Sequence, residues 1–233
     1  MQRIPITLIL AVITAFVCRS ETSMEELFSF ENEAFAGMNL NYRKAEAGDS
    51  AKIVILYLHG GSGQGDDNKS QMKTPAIPDI YNFLNENGYS FTFLVPQAPY
   101  GQQWMGLVIP ALKEMLDLYS DNGNLDIYIL GGSMGGMGTW NMLSAYPGYI
   151  KGAMPVAFDT PEDKIDKFID TRICSVIGGN DRRRNFSKCK SFFEKFRKQG
   201  GNANFEVETD WGHRQTCESS FTPARLAWLF ERY

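Results

Sequence analysis

The sequence predicts an α/β protein built on a doubly wound, mostly parallel sheet. Apolar runs alternate with helical patterns along most of the chain, as expected where helices connect parallel strands. Two of these runs, 51–58 and 125–130, are apolar at nearly every position rather than at every second one, which is typical of strands covered on both faces. A glycine-rich turn follows each of the two runs. We therefore expect a functional site at the carboxyl ends of the central strands.

Seven strands are predicted from β-branched and aromatic runs that turn residues bound. The first, 38–45, alternates between apolar and polar positions and is expected at an edge of the sheet. Gly, Pro, Asn or Asp follows most of the others, and these residues end strands in turns. The other six strands cover residues 51–58, 90–95, 125–130, 151–157, 172–177 and 204–209.

Five helices are predicted from apolar residues spaced three and four positions apart. Within 110–119, for example, apolar residues stand at positions 111, 112, 115, 116 and 118. Gly88 and Pro147 each end one of these patterns, as helix-breaking residues do. The five helices cover residues 78–87, 110–119, 134–146, 186–197 and 225–233.

The chain of 233 residues suits one large domain. We assign residues 38–233 to a single α/β domain. Residues 21–37 are acidic and weakly patterned, and we expect an N-terminal extension there that is mobile or forms a short helix. Only about a dozen residues, 158–170, join two strands late in the chain, so we expect a minimal lid over any site.

Residues 1–20 have the pattern of a signal peptide. Arg3 gives a positive start, and the nearly continuous apolar run over 4–17 is short for a bilayer span. Cleavage at the end of this segment would give a soluble protein that is secreted or periplasmic, with no stable membrane partner. Acylation of Cys18 is a weaker alternative, because Phe16 stands where a small residue is expected, and an uncleaved anchor is a third.

Composition excludes several kinds of partner. A net charge of −4 at pH 7 and a pI of about 5.3 do not indicate nucleic-acid binding. The one basic cluster, Arg182–Arg184, is three residues long and is interpreted as a solvated loop. Two histidines and four cysteines without a CxxC pair predict no metal site, and no cofactor is expected.

The middle of the chain predicts a nucleophile elbow. The strand 125–130 runs into Gly131, Ser133 and Gly135, which fit the pattern G-x-S-x-G, and a helical pattern follows. A serine at the tip of such a turn has a strained backbone, and glycine on both sides avoids collisions with neighbouring elements. A P-loop is excluded because Lys and Ser/Thr do not follow the glycines, and the dinucleotide glycine spacing is absent as well.

A serine nucleophile needs a base that takes its proton and an acid that orients the base. His213 follows the last predicted strand at the carboxyl edge of the sheet, so it is the predicted base. Asp181 follows the strand 172–177 and completes the chain order serine, acid, histidine that α/β-type hydrolases use. Asp210 is the second choice as acid, because it lies only three residues from His213 on the same loop.

Backbone N–H groups must also stabilise the oxyanion that forms when a serine attacks a carbonyl. Met134 begins the helix after the serine, and Gly61 lies in the glycine-rich loop after strand 51–58. The N–H groups of these two residues are the predicted oxyanion hole. His59 heads the same loop and is given a structural role there, as a hydrogen-bonding partner of the loop.

Three cysteines remain after the signal segment. Cys174 falls within an apolar strand pattern and is expected to be buried. Cys189 lies eight residues after Asp181, and Cys217 lies four residues after His213, so a disulfide between them would join the two loops. Spacing does not determine connectivity, and both the bridged and the free states stay open.

The chain resembles the α/β-hydrolase superfamily, and within it the compact secreted esterases of the phospholipase/carboxylesterase and predicted-peptidase group, which are related to feruloyl esterases, acetyl esterases and dienelactone hydrolase. The resemblance implies an α/β-hydrolase fold with a substrate pocket lined by Trp104. Trp211 and Tyr100 are further aromatic residues expected to form pocket walls. The resemblance rests on the stretches 57–61 (YLHGG), 95–99 (VPQAP), 102–104 (QQW), 131–140 (GGSMGGMGTW), 177–181 (IGGND) and 212–213 (GH).

These features predict a serine esterase that cleaves short acyl or aryl esters of the feruloyl type. The expected substrate is a small-molecule ester or an ester linked to a polysaccharide. A serine peptidase of the same fold is one alternative, although amides have poorer leaving groups and the segment 158–170 offers little surface to bind a peptide. A non-catalytic binding module is another, although such a protein has no physical need for a serine, a histidine and an acid in this order.

Overall fold

The computed structural model describes residues 23–161 and 165–231, which form one eight-stranded sheet with helices on both faces. The predicted signal peptide, residues 1–20, lies outside the described residues, so export stays a prediction. No helix in the described part of the chain is long and apolar enough to cross a membrane. The strands are β1 (Ser29–Phe35), β2 (Met38–Ala47), β3 (Ile53–Leu58), β4 (Phe91–Pro96), β5 (Asp126–Gly132), β6 (Gly152–Val156), β7 (Arg172–Gly178) and β8 (Ala203–Glu208).

The strands stand in the order β1-β2-β4-β3-β5-β6-β7-β8 across the sheet. β1 pairs with β2 and β2 pairs with β4 in antiparallel fashion, whereas the remaining neighbours are all parallel. This order confirms the predicted doubly wound, mostly parallel sheet. Because β3 and β5 lie at its centre, their side chains meet helices on both faces, which explains their unbroken apolar sequences.

The described helices are α1 (Met24–Leu27), α2 (Ala76–Glu86), α3 (Val108–Tyr119), α4 (Met134–Ala145), α5 (Phe186–Lys198), α6 (His213–Ser219) and α7 (Pro223–Phe230). Five of them cover the two faces of the sheet unequally. α3, α4 and α5 bury their apolar residues against one face, together with Val54, Leu56 and Leu58 of β3. α2 and α7 pack against the opposite face, where the alternate residues Ile53, Ile55 and Tyr57 point.

The N-terminal boundary of the domain differs from the sequence prediction. Residues 29–35, assigned to an extension outside the domain, form β1 and pair along their whole length with β2. Phe35 is the one fully buried residue of this strand, so the sequence shows no apolar alternation that would reveal it. The predicted strand 38–45 is correct as a strand but wrong as an edge, because β1 covers its outer side.

His59 follows β3 and fixes the loop after it. The ring is 2% exposed, and its Nε2 accepts a hydrogen bond from the N–H of Ala98 at 3.0 Å. Since that backbone group can only donate, the proton of the neutral ring is on Nδ1, which donates to the carbonyl of Gly60 at 2.6 Å. Burial lowers the pKa of His59 to about 4, so the ring is neutral at physiological pH. The structural role predicted for His59 is thus to connect the backbone of Gly60 and that of Ala98 through a neutral ring.

The buried His59 should make the stability of the domain depend on pH. Its pKa is about 4 in the folded protein and about 6.5 when unfolded, so the unfolded chain binds the proton first as pH falls. The free energy of unfolding should therefore decrease by about 3 kcal/mol from this residue between pH 6.5 and pH 4. Urea unfolding of the wild type and of His59→Gln between pH 4 and pH 6.5 measures this pH dependence of the free energy of unfolding. The carboxylates common to both proteins cancel in the comparison, and equal slopes for the two would contradict the prediction.

Candidate active site

Ser133 lies at the sharp turn between β5 and α4. Its backbone has φ 58° and ψ −116°, a strained conformation that a non-glycine residue adopts only where surrounding structure enforces it. The N–H of Ser133 donates to the carbonyl of Val156 on the neighbouring strand β6 at 3.0 Å, and its own carbonyl accepts from Met137 at 3.1 Å. The turn is thus held from both sides, and the hydroxyl is presented at the carboxyl end of the sheet.

The two glycines of the G-x-S-x-G pattern are required by close backbone approach. A Cβ on Gly135 would lie 1.7 Å from the carbonyl oxygen of Leu58, the last residue of β3. A Cβ on Gly131 would lie 2.6 Å from backbone atoms of Gly135. Any larger residue would push α4 away from β3 and relax the turn, so the glycines keep Ser133 in its strained position.

Three predicted residues meet in one chain of hydrogen bonds. Nε2 of His213 lies 2.8 Å from Oγ of Ser133, and Nδ1 lies 2.6 Å from Oδ2 of Asp181. A carboxylate can only accept, so Nδ1–H donates to Asp181 and Nε2 is free to accept the serine proton. Asp181 is 4% exposed, and its second oxygen accepts the N–H of Arg183 at 3.1 Å. The structure brings these three together, while their catalytic roles stay a prediction.

Asp210, the second choice as acid, lies elsewhere. Its side chain is exposed, and its backbone carbonyl accepts a hydrogen bond from the Asn180 amide at 3.1 Å. The sequence predicts a loop at His213, but this residue is the first of α6, and its ring contacts Ser133. The sequence HRQTCES has little apolar periodicity, so the sequence does not predict this short helix.

The two predicted oxyanion donors are both without competing partners. Met134 is the first residue of α4, where an N–H group has no acceptor within the helix. Gly61 begins a short 3-10 turn, Gly61–Gly63, and lines the cleft beside Ser133. Within the described part of the chain, neither N–H donates a hydrogen bond. Both groups are therefore available to stabilise negative charge near the serine.

A cleft of about 580 Å³ opens over Ser133 and His213. Its walls come from residues 59–63 after β3, residues 70–74, Arg183 and α6. The lining is mostly polar, with Tyr57 and Cys217 among its few less polar members. The described residues of the 158–170 segment do not contribute to it. The cleft has room for a substrate of moderate size.

Trp104, the predicted pocket residue, does not line this cleft, and that prediction is wrong. The side chain is 0% exposed, its Nε1–H donates to the carbonyl of His59 at 2.9 Å, and its ring packs edge-on against the His59 ring at 4.9 Å. It supports the Gly60–Gly61 loop from within the core. Tyr100 and Trp211 do not line the cleft either, so the expected aromatic walls are absent from it.

All three described cysteines are free thiols, so Cys189 and Cys217 are not bridged in this structure. Cys189 is buried, with Sγ 3.9 Å from Oδ1 of Asp159. Cys217 lines the cleft with Sγ 4.0 Å from Nε2 of His213, and burial raises the pKa of its thiol to about 12. The thiol is therefore protonated at neutral pH and does not compete with Ser133 as a nucleophile. The described residues contain no cluster of side chains suited to a metal ion.

The comparisons with known proteins concern the fold. No protein-family model matches the chain, and no curated protein matches it. A thermostable esterase superposes with a TM-score of 0.76 at 20% identity, over 88% of this chain and 63% of its own. A mutant feruloyl esterase module from Clostridium thermocellum, complexed with sinapinate, gives 0.67 at 13% identity, over 88% of each chain. A cold-adapted esterase from an Arctic intertidal metagenomic library gives 0.65 at 16% identity, over 86% and 91%.

The chain thus spans less than two thirds of the thermostable esterase and nearly all of the other two proteins. At these identities the likeness concerns backbone architecture alone. The chain has the α/β-hydrolase fold that the sequence resemblance predicts.

Proposed function

We propose that this protein hydrolyses carboxylic esters through an acyl-enzyme formed on Ser133. The observation that carries the proposal is the continuous hydrogen-bonded chain from Oγ of Ser133 through His213 to the buried carboxylate of Asp181. In this order each group has the partner that its role requires: the nucleophile has a base, and the base has an orienting acid.

In the acylation half of the reaction, Oγ of Ser133 attacks the ester carbonyl while Nε2 of His213 takes the hydroxyl proton. The imidazolium that forms is stabilised by Asp181, to which Nδ1–H remains bonded. The carbonyl oxygen becomes an oxyanion and accepts from the N–H groups of Met134 and Gly61. As the tetrahedral intermediate collapses, the proton on Nε2 passes to the leaving alcohol, and the acyl group stays on Ser133.

Deacylation repeats these steps with water as the nucleophile. His213 takes a proton from the water, whose oxygen attacks the acyl carbonyl, and the same two N–H groups hold the second oxyanion. Nε2 then returns the proton to Oγ of Ser133, and the carboxylic acid leaves. Proton transfer needs no cofactor, because His213 passes the first proton to the alcohol and the second to Ser133 within one catalytic cycle.

Ester cleavage is favoured over the two alternatives by particular features. Three of the structural neighbours are described as esterases, one of them a feruloyl esterase with sinapinate bound. A peptidase would need surface to align a peptide chain, and the described residues between β6 and β7 contribute nothing to the cleft. A binding module gives no reason for the strained backbone of Ser133, which costs on the order of 1–3 kcal/mol.

We further propose that the preferred acyl groups are short. Most of the side chains that line the cleft are polar, and we infer that a long acyl chain would stay in water rather than in a tunnel. The expected preference for aryl groups depended on stacking against Trp104, Trp211 and Tyr100. These residues lie outside the cleft, so they give no reason to expect that preference. Feruloyl-type esters are thus left as a class suggested by the neighbours, whereas compact esters are the class that the cleft favours.

Replacing Ser133 by Ala should abolish catalysis. Loss of the nucleophile should lower kcat for p-nitrophenyl acetate by roughly 10⁴- to 10⁶-fold, as in serine hydrolases where the nucleophile acts as a unit with its base. An organophosphate probe should label the wild type and Ser62→Ala, which changes another serine of the cleft, but not Ser133→Ala. Circular dichroism checks the fold of each variant. Undiminished labelling of Ser133→Ala would show that another residue is the nucleophile.

The identity of the acid follows from comparing two asparagine variants. Asp181→Asn replaces an acceptor by an amide that can present N–H to Nδ1, so the histidine loses its orientation and kcat should fall by roughly 10³- to 10⁴-fold. Asp210→Asn changes an exposed side chain and should alter kcat by less than about threefold. Steady-state kinetics on one p-nitrophenyl ester decides between them, and the reverse ranking would transfer the role to Asp210.

The short-acyl preference can be measured with p-nitrophenyl esters of two to sixteen carbons. Each methylene buried in a tunnel would contribute about 0.8 kcal/mol, or about fourfold in kcat/KM. With an open polar cleft we expect kcat/KM to be highest for acetyl to butyryl esters and to decline for longer chains. A steady rise toward sixteen carbons would reveal an apolar acyl tunnel and would overturn this part of the proposal.

A further inference from the structure

The cleft over Ser133 is rich in positive charge, although the chain as a whole is acidic. Lys73, Arg183 and Arg214 all line it. Arg214 is neutralised by Glu218, which lies four residues further along α6 with 2.8 Å between Nε and Oε1. A net charge of −4 for the chain means that this concentration of cations is local rather than a general property of the surface.

The other two cations of the cleft are not neutralised. Among the described residues, no carboxylate lies within ion-pair distance of the side chains of Lys73 or Arg183, and both side chains are exposed. The acidic group nearest in sequence to Arg183 is Asp181, and its two oxygens accept from His213 and from the backbone N–H of Arg183. Its carboxylate keeps its charge but is directed into the chain with His213 and Ser133, and it forms no ion pair with the guanidinium of Arg183.

The basic cluster Arg182–Arg184 divides into three different environments, and this changes the interpretation of it as a simple solvated loop. Arg184 turns inward, where its guanidinium lies 4.4 Å above the ring of Phe158 and 4.0 Å from Asp159. Arg182 is exposed and does not line the cleft. Arg183 alone of the three faces the cleft, and the hydrogen bond of its backbone N–H to Asp181 fixes where its side chain starts.

Lys73 and Arg183 reach the cleft from segments that follow strands on opposite sides of β5. Lys73 belongs to the segment after β3, and Arg183 to the loop after β7, whereas Ser133 follows β5 between them in the sheet. Two uncompensated cations in one concave site raise the local concentration of anions and strengthen their binding. A guanidinium can in addition form two parallel hydrogen bonds with a carboxylate.

We propose that the natural substrate is an ester that carries a second, negatively charged group, of the carboxylate class, and that Arg183 and Lys73 bind this group while Ser133 attacks the ester. This inference rests on the proposed ester hydrolysis and specifies its substrate. The anionic group belongs either to the acyl part or to the alcohol part of the ester, and two experimental arms separate these cases.

The test compares each anionic ester with a neutral ester of the same shape. In the acyl arm, monomethyl succinate is compared with methyl 4-methylpentanoate, in which an isopropyl group replaces the carboxylate. In the alcohol arm, 4-acetoxybenzoate is compared with 4-isopropylphenyl acetate. kcat/KM is measured by acid release, and each value is divided by the rate constant for reaction of the same ester with hydroxylamine. Hydroxylamine is uncharged at neutral pH, so this division corrects for intrinsic reactivity without the charge repulsion between hydroxide and a carboxylate.

In at least one arm, the corrected kcat/KM of the anionic ester should be about five- to tenfold higher than that of its neutral counterpart at low salt. This ratio should decrease toward one in about 0.5 M NaCl. Arg183→Gln should lower the ratio at least threefold, and Lys73→Gln should lower it as well. Arg182→Gln, which removes the adjacent arginine outside the cleft, should leave the ratio as in the wild type.

The outcomes separate this inference from the proposed function. Hydrolysis of the neutral esters with ratios of one or less in both arms would overturn the anionic substrate class and leave the esterase proposal standing. A high ratio that survives both Arg183→Gln and Lys73→Gln would overturn the assignment to these residues. Failure of the wild type to hydrolyse any of the four esters, together with no labelling by an organophosphate, would overturn the esterase proposal and this inference with it.

Discussion

The contact between the first turn of α4 and the carboxyl end of β3 determines the geometry of the whole site. Gly135 approaches the carbonyl of Leu58 so closely that no side chain fits between them. This contact keeps α4 against the sheet, holds Ser133 at positive φ and leaves the N–H of Met134 directed outward. The residue after Leu58 is His59, so the same strand end also carries the loop that contains Gly61, the second proposed oxyanion donor. The proposed nucleophile and both proposed oxyanion donors therefore depend on the same contact.

The positions of His213 and Asp181 depend on a second set of contacts. Asp181 and His213 follow β7 and β8, which run parallel in register from Ile173 opposite Ala203 to Gly178 opposite Glu208. The guanidinium of Arg225 on α7 fixes the end of β8, because it contacts both Glu206 and Glu208, with 2.9 Å between Nε and Glu206. A paired and largely buried arginine of this kind orients its partners more than it stabilises the fold.

The charges that line the cleft are a feature separate from the hydrogen-bonded chain of Ser133, His213 and Asp181. In the hydrolysis that we propose, Ser133, His213 and Asp181 would act on any accessible ester, and selectivity would come from the residues around them. Here most of the lining side chains are polar and three are cationic. Trp104, which the family resemblance suggested as a wall, lies in the core, and Trp211 and Tyr100 lie outside the cleft. Trp104 illustrates the difference, since it acts on the site through the carbonyl of His59 and not through the substrate.

The sequence by itself determined the fold class, the central strands and the identity of the residues that form the hydrogen-bonded chain. It did so because buried strands and a strained strand–turn–helix impose local requirements: unbroken apolar runs, and glycine at Gly131 and Gly135. The strand β1, the short helix α6 and the lining of the cleft could not be predicted, because these depend on pairing and packing between segments distant in sequence. Arg183 faces the cleft, whereas Arg184, the next residue, faces the ring of Phe158. The direction of the chain at this loop decides the difference. Only the tertiary structure decides that direction, since adjacent residues of the same type carry the same local signal.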